Sequence, residues 1–110
     1  MKRKSFEHMN CPIAQSLEVV GEWWTPLILR DTVAFGTTRF DEIQKSLGIA
    51  PTVLTSRLNA LVEAGLLERR QYNERPPRFE YLPTEAARDF EPVLEALHTW
   101  GRKWTTLPSE

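Results

Sequence analysis

The chain of 110 residues has a single cysteine, Cys11, and only two histidines, His8 and His98. One thiol excludes an internal disulfide framework, and so few ligating side chains argue against a bound metal. Long apolar runs are also missing. None approaches the roughly 18 residues of a membrane span, and the first residues lack the apolar core of a secretion signal. No membrane partner is therefore expected, and a cytoplasmic location is. The charges nearly cancel, with 14 Lys and Arg against 15 Asp and Glu, for a formal net charge of −1. There is no glycine-rich phosphate loop, and no carboxylate pair stands out from the helical charge background. Cys11 with His8 or His98 has no third group to orient it, so neither an enzyme nor a cofactor site is expected.

What is present suits one soluble globular domain: 41% hydrophobic and 26% charged residues. The uneven placing of charge says more than its sum. Residues 69–78 carry Arg69, Arg70, Arg75 and Arg78 against Glu74, a local +3. Residues 84–110 carry three basic against five acidic side chains, a local −2. A basic patch on a near-neutral chain is compatible with nucleic acid as partner.

Along the chain, Met1–Asn10 reads as a mobile arm with a basic run at Lys2, Arg3 and Lys4. Pro12 suits the first position of a helix whose stripe is Ile13, Ala14, Leu17 and Val20, ended by Gly21. A second helix is expected from Trp24 or Thr25 to about Phe35. Phe40, Ile43 and Leu47 give a short third helix closed by Gly48. The fourth runs over 51–64, with Pro51 at its start and Gly65 at its stop. Leu54, Leu58, Leu61 and Val62 share one face of it. Thr52, Thr55, Ser56 and Asn59 gather opposite, with no Lys or Glu among them. Short hydroxyl and amide side chains permit close approach to base edges and phosphates. Arg57 lies on the flank of the apolar stripe, placed for a bracing salt bridge or a DNA contact.

After Gly65 the period changes to two. Leu66–Tyr72 and Arg78–Leu82 read as strands joined by a loop at 73–77. Arg69 and Arg70 point to opposite faces, so both cannot serve one partner; Arg75 and Arg78, near the tip, are the expected phosphate contacts. Thr84 is placed to cap a last helix, in which Phe90, Val93, Leu94, Leu97, Trp100 and Trp104 form a stripe and Pro92 is a kink or the true start. This order predicts a mainly α fold with a small β-hairpin wing, a winged helix-turn-helix with N- and C-terminal dimerisation helices. The expected parts are an arm and helix (1–21), the winged core (22–83) and a C-terminal helix (84–110). Ile13, Leu17, Val93, Leu97, Trp100 and Trp104 exceed what so small a core can cover, which predicts a two-fold dimer interface. Cys11 would sit at a helix N-terminus, where the macrodipole favours a thiolate and hence a redox or electrophile sensor.

Cys11-Pro12, Gly21 followed by Trp24-Thr25 and Leu27-Ile28-Leu29-Arg30, Arg39-Phe40, Leu54-Thr55-Ser56-Arg57-Leu58, Glu63-Ala64-Gly65-Leu66 and Pro76-Pro77-Arg78-Phe79-Glu80-Tyr81 closely resemble the HxlR-type transcriptional regulators, bacterial winged-helix proteins related to the MarR group. The resemblance covers roughly residues 11–101. It implies a homodimer bound to double-stranded DNA at a pseudo-palindromic operator, with the fourth helix in the major groove and the wing at the adjacent minor groove. It also implies that a cysteine matching Cys11 can sense electrophiles or oxidants, as it does in some members; a small-molecule effector is not identified. Three positions depart from the family pattern: Ala50 where a serine is frequent, Trp23 where a basic residue is frequent, and Ala87 in place of a glycine. The alternative reading is a winged helix that binds protein and not DNA.

Overall fold

The structure is a computed structural model, and it describes residues 5–108. Six α-helices and one antiparallel hairpin follow the order α1 (Pro12–Val20), α2 (Thr25–Leu29, continued by a π-helical turn Arg30–Ala34), α3 (Phe40–Leu47), α4 (Pro51–Glu63), β1 (Leu67–Glu74), β2 (Pro77–Pro83), α5 (Glu85–Arg88) and α6 (Glu91–Trp104). Among the described residues no helix is long and apolar enough to cross a membrane.

Four helices begin as their prolines dictate, with Pro12, Pro26, Pro51 and Pro92 in the first turn, where a missing N–H is no loss. Pro92 thus starts α6 and kinks nothing. Gly48 and Gly65 take φ of 64° and 79°, left-handed values that cost an L side chain roughly 1 kcal/mol or more. Those two glycines set the tight turn into α4 and the abrupt exit from it. Ala50 occupies the N-cap of α4 and supplies no side-chain hydrogen bond.

The core is one cluster. Ile28 and Leu29 of α2, Ile43 of α3, Leu54, Leu58 and Leu61 of α4, Leu67 and Tyr81 of the hairpin, and Ala87 of α5 are all buried. The apolar stripe of α4 therefore faces inward and sends its polar arc to solvent. The second helix does not stay α-helical to Phe35. From Arg30 it widens, with the Phe35 N–H donating to Arg30 O at 3.1 Å, and the wider turn keeps both Asp31 and Thr32 buried beside Ile28 and Leu29.

The wing also differs from simple alternation. Leu67 pairs with Pro83, Arg69 with Tyr81 and Gln71 with Phe79, but the register then slips so that Asn73 meets Arg78 and Glu74 meets Pro77. The five-residue loop shrinks to Arg75-Pro76, and Tyr72 stands in a bulge. A short third edge joins the hairpin before α3: Arg39 bridges Glu80, and the Tyr81 N–H donates to Thr38 O at 2.7 Å. Thr84 ties the far end. Its hydroxyl lies 2.7 Å from Gly65 O and 3.4 Å from the Ala87 N–H that it caps.

The terminal segments behave differently from the core. Residues 5–10 lie against α1: the Gln15 carboxamide nitrogen lies within 3.1 Å of the carbonyls of Phe6, Glu7 and Met9, and the Phe6 N–H donates to the Glu18 carboxylate. Lys2, Arg3 and Lys4 lie outside the described residues. In α6, Phe90 and Leu94 pack against the core, while Val93, Leu97, Trp100 and Trp104 are 45–65% exposed. Ile13 of α1 is 74% exposed and Leu17 42%. Ordinary surfaces scatter such side chains singly, and this one gathers most of them on two helices, with Met9, Trp23, Phe35 and Leu107 exposed elsewhere.

Candidate nucleic-acid interface

Helix α4 presents Thr52, Thr55, Ser56 and Asn59 as exposed residues along one face. The Thr55 hydroxyl donates to Pro51 O at 2.9 Å, which uses its proton and leaves its lone pairs free to accept. Thr55 and Asn59 look across an open groove of about 370 Å³ whose far wall is the hairpin, with Arg69, Tyr72, Arg78 and Phe79 lining it. Its floor is Tyr81, and Asp41 at the start of α3 is the one acid on its lining.

The strand geometry decides which arginines reach that groove. Arg70 turns away: its Nε lies 2.9 Å from Glu80 Oε1, and a second guanidinium nitrogen also bonds that oxygen. Its charge is spent there. Arg69 points into the groove, its guanidinium 4.9 Å from the Phe79 ring centroid, a distance suited to a cation–π contact. Burial pushes the Tyr81 phenol above its ordinary value of 10.0, against the opposing charge and hydrogen bond of Arg69. The bulge brings Tyr72 to the same wall, where Arg39 stacks on its ring at 4.6 Å.

Of the residues expected from sequence, Thr55, Asn59 and Arg78 are thus brought together. Thr52 and Ser56 are exposed on the same helix but outside the groove lining. Arg75 sits at the wing tip in a separate hollow with Gln71, Tyr72, Asn73 and Glu74. Arg57 is half-buried, with Nε 2.9 Å from Glu22 Oε2. Arg69 and Tyr72 are the groove residues that sequence reasoning missed, with Arg39 stacked behind on the Tyr72 ring. Arg69 was within reach of it, since Glu80 opposite Arg70 leaves Arg69 as the arginine on the groove side, but that pairing requires the register.

Cys11 stands at the N-cap of α1, half-buried, free of any disulfide and making no side-chain cap hydrogen bond. His8 is exposed on the preceding turn.

The chain matches the HxlR-like helix-turn-helix family over residues 19–108. It is 44% identical over 96 residues to the HTH-type transcriptional regulator Rv3095 of Mycobacterium tuberculosis, which covers 87% of this chain and 60% of that protein. The chain therefore spans about 60% of the length of its mycobacterial relatives. It is 34% identical to the HTH-type regulator YdeP of Bacillus subtilis over 86% of this chain and 74% of the relative. Among solved structures, that of PA1607, described as a transcription factor, superposes with a TM-score of 0.84 at 39% identity, covering 97% of this chain and 74% of the other. The redox regulator HypR in its reduced form gives a TM-score of 0.76 at 28% identity, covering 84% and 92%. With its winged helix, its polar α4 face and this match over most of its length, the chain belongs to the HxlR-like helix-turn-helix family of transcriptional regulators.

Proposed function

We propose that this chain binds double-stranded DNA as a homodimer at a pseudo-palindromic operator in the cytoplasm and regulates transcription by occupying a promoter. The observation that carries the reading is the shared groove, in which Thr55 and Asn59 of α4 face Arg69 and Arg78 of the wing. In it α4 enters the major groove, where Thr52, Thr55, Ser56 and Asn59 meet base edges and phosphates, and Arg75 and Arg78 hold the backbone or adjacent minor groove. Arg69 joins them from inside the groove. Residues 22–83 form the reading unit and the flanking segments 1–21 and 84–110 the dimer, with Ile13, Leu17, Val93, Leu97, Trp100 and Trp104 between the protomers. The exposure of these apolar side chains supports that interface. A two-fold dimer sets its recognition helices roughly 34–36 Å apart, one turn of DNA. A mobility-shift titration against DNA from upstream of the gene tests the reading, with random DNA as competitor. Retardation that survives a large excess of competitor is expected; equal competition would favour a winged helix that binds protein.

A redox or electrophile response through Cys11 is supported by its partly accessible position at a helix N-cap and by the redox regulator HypR among the structural relatives. DNA affinity that changes on treatment with a thiol oxidant in the wild type, but not in Cys11→Ser, is the expected result.

A further inference from the structure

Glu22 makes more contacts than a surface glutamate needs. It follows Gly21, which ends α1, and precedes α2. Its Oε1 accepts from the Trp24 N–H at 2.8 Å, the Thr25 N–H at 3.1 Å and the Thr25 hydroxyl at 3.2 Å, so it caps α2 with a charge of the favourable sign. Its Oε2 lies 2.9 Å from Arg57 Nε on α4, and the pair is only 27% and 36% exposed. The Nε atom is screened from solvent and makes no well-aligned hydrogen bond, so the link is an ion pair and not a directed bond. One carboxylate thus touches two helices and sits one residue beyond a third.

Position 21 admits only glycine, because a Cβ there would fall 2.4 Å from the Leu17 carbonyl oxygen, which is backbone and cannot swing aside. Glu22 is the next residue after this exit from α1, so its contacts tie the start of α2 and Arg57 of α4 to the point where α1 leaves the core.

We infer that Glu22 is a positioning residue for DNA recognition: through Arg57 it fixes the orientation of α4 relative to the terminal helices. The inference rests on the dimeric DNA-binding reading above and deepens it. In a dimer held by α1 and α6, the angle between those helices and α4 sets the separation of the two recognition helices. Glu22 then controls which half-site spacing the dimer accepts, without touching DNA. Arg57 is held by protein and does not belong with the phosphate contacts.

The test uses the full chain with Glu22→Gln, which keeps an oxygen to cap α2 but removes the charge, and Arg57→Met, which keeps the apolar stem. Binding is measured on operators whose half-sites are at the preferred spacing or displaced by one base pair, at several salt concentrations. Each variant is expected to cut the preference for the correct spacing to roughly a third or less, the double variant to go no further, and the salt slope to stay unchanged. Urea unfolding of the same four proteins without DNA is expected to be non-additive, by about two- to fivefold in the unfolding constant for a half-exposed pair. If Arg57→Met flattens the salt slope while Glu22→Gln tightens binding, Arg57 is a phosphate contact and the inference is overturned. Additive unfolding, or intact spacing preference in both variants, overturns it as well. A wild-type protein with no spacing preference defeats the DNA reading itself, and the unfolding cycle separates that outcome because it needs no DNA.

Discussion

Neutralising the arginines inside the groove should change how binding depends on salt, by an amount that the geometry sets. Two guanidinium groups per protomer face the groove, Arg69 and Arg78, whereas Arg70 is committed to Glu80. Each phosphate neutralised contributes about −0.9 to the slope of log K against log salt. If both arginines of both protomers meet phosphate, the double variant Arg69→Gln/Arg78→Gln lowers the slope by about 3.6 per dimer. Between 50 and 200 mM salt the wild type would then lose roughly 150-fold more affinity than the variant. Fluorescence anisotropy with a labelled operator at five or six salt concentrations measures this directly. Arg70→Gln is the internal control and should leave the slope where it is. The reasoning fails if Arg70→Gln flattens the slope as much as the groove arginines do, or if the double variant changes affinity equally at every salt concentration.

Other expectations follow from separate parts of the fold. Leu97→Asp or Trp100→Asp puts a charge into the exposed stripe of α6 and should give monomers in sedimentation velocity; an unchanged dimer would place the interface elsewhere. Ala50→Ser offers the missing cap to the Val53 N–H from a residue already in extended backbone (φ −63°, ψ 139°), and should stabilise the protein by about 0.5–1 kcal/mol in urea unfolding. A midpoint that falls would mean that the α4 N-terminus is already satisfied. Tyr81 has its pKa raised in the fold, so its contribution is whole below the ordinary value of 10 and is lost as pH rises through 10 toward the folded value. Stability should decline over that range in the wild type and decline less in Tyr81→Phe; equal decline would move the cause to another group.

The elements were largely legible because local chemistry dictates them. Pro12, Pro51, Gly48 and Gly65 announce their helix ends regardless of tertiary context, and Leu54, Leu58 and Leu61 face the core because the helical period leaves them no other side. The wing was legible only as far as alternation holds. The bulge at Tyr72 follows from how two strands settle around a two-residue turn, and no local pattern marks it. Arg69 and Arg70 look equivalent in sequence; they differ because Glu80 stands opposite one and Tyr81 opposite the other. Glu22 reads as an ordinary polar residue between two helices. Its role depends on Arg57, 35 positions away, and only the packed structure brings them to 2.9 Å. Arg57 could be assigned from sequence as brace or reader, and its contact with Glu22 favours the brace.

The central claim is that α4 reads DNA from a two-fold dimer, and selection of bound sequences from a random duplex pool tests it most directly. The wild type should enrich an inverted repeat with half-sites about one helical turn apart, and Asn59→Ala should enrich the same architecture with one or more half-site positions relaxed. Recovery of no motif, or of an identical motif from the Asn59 variant and from a matching Thr55→Ala variant, would contradict the account.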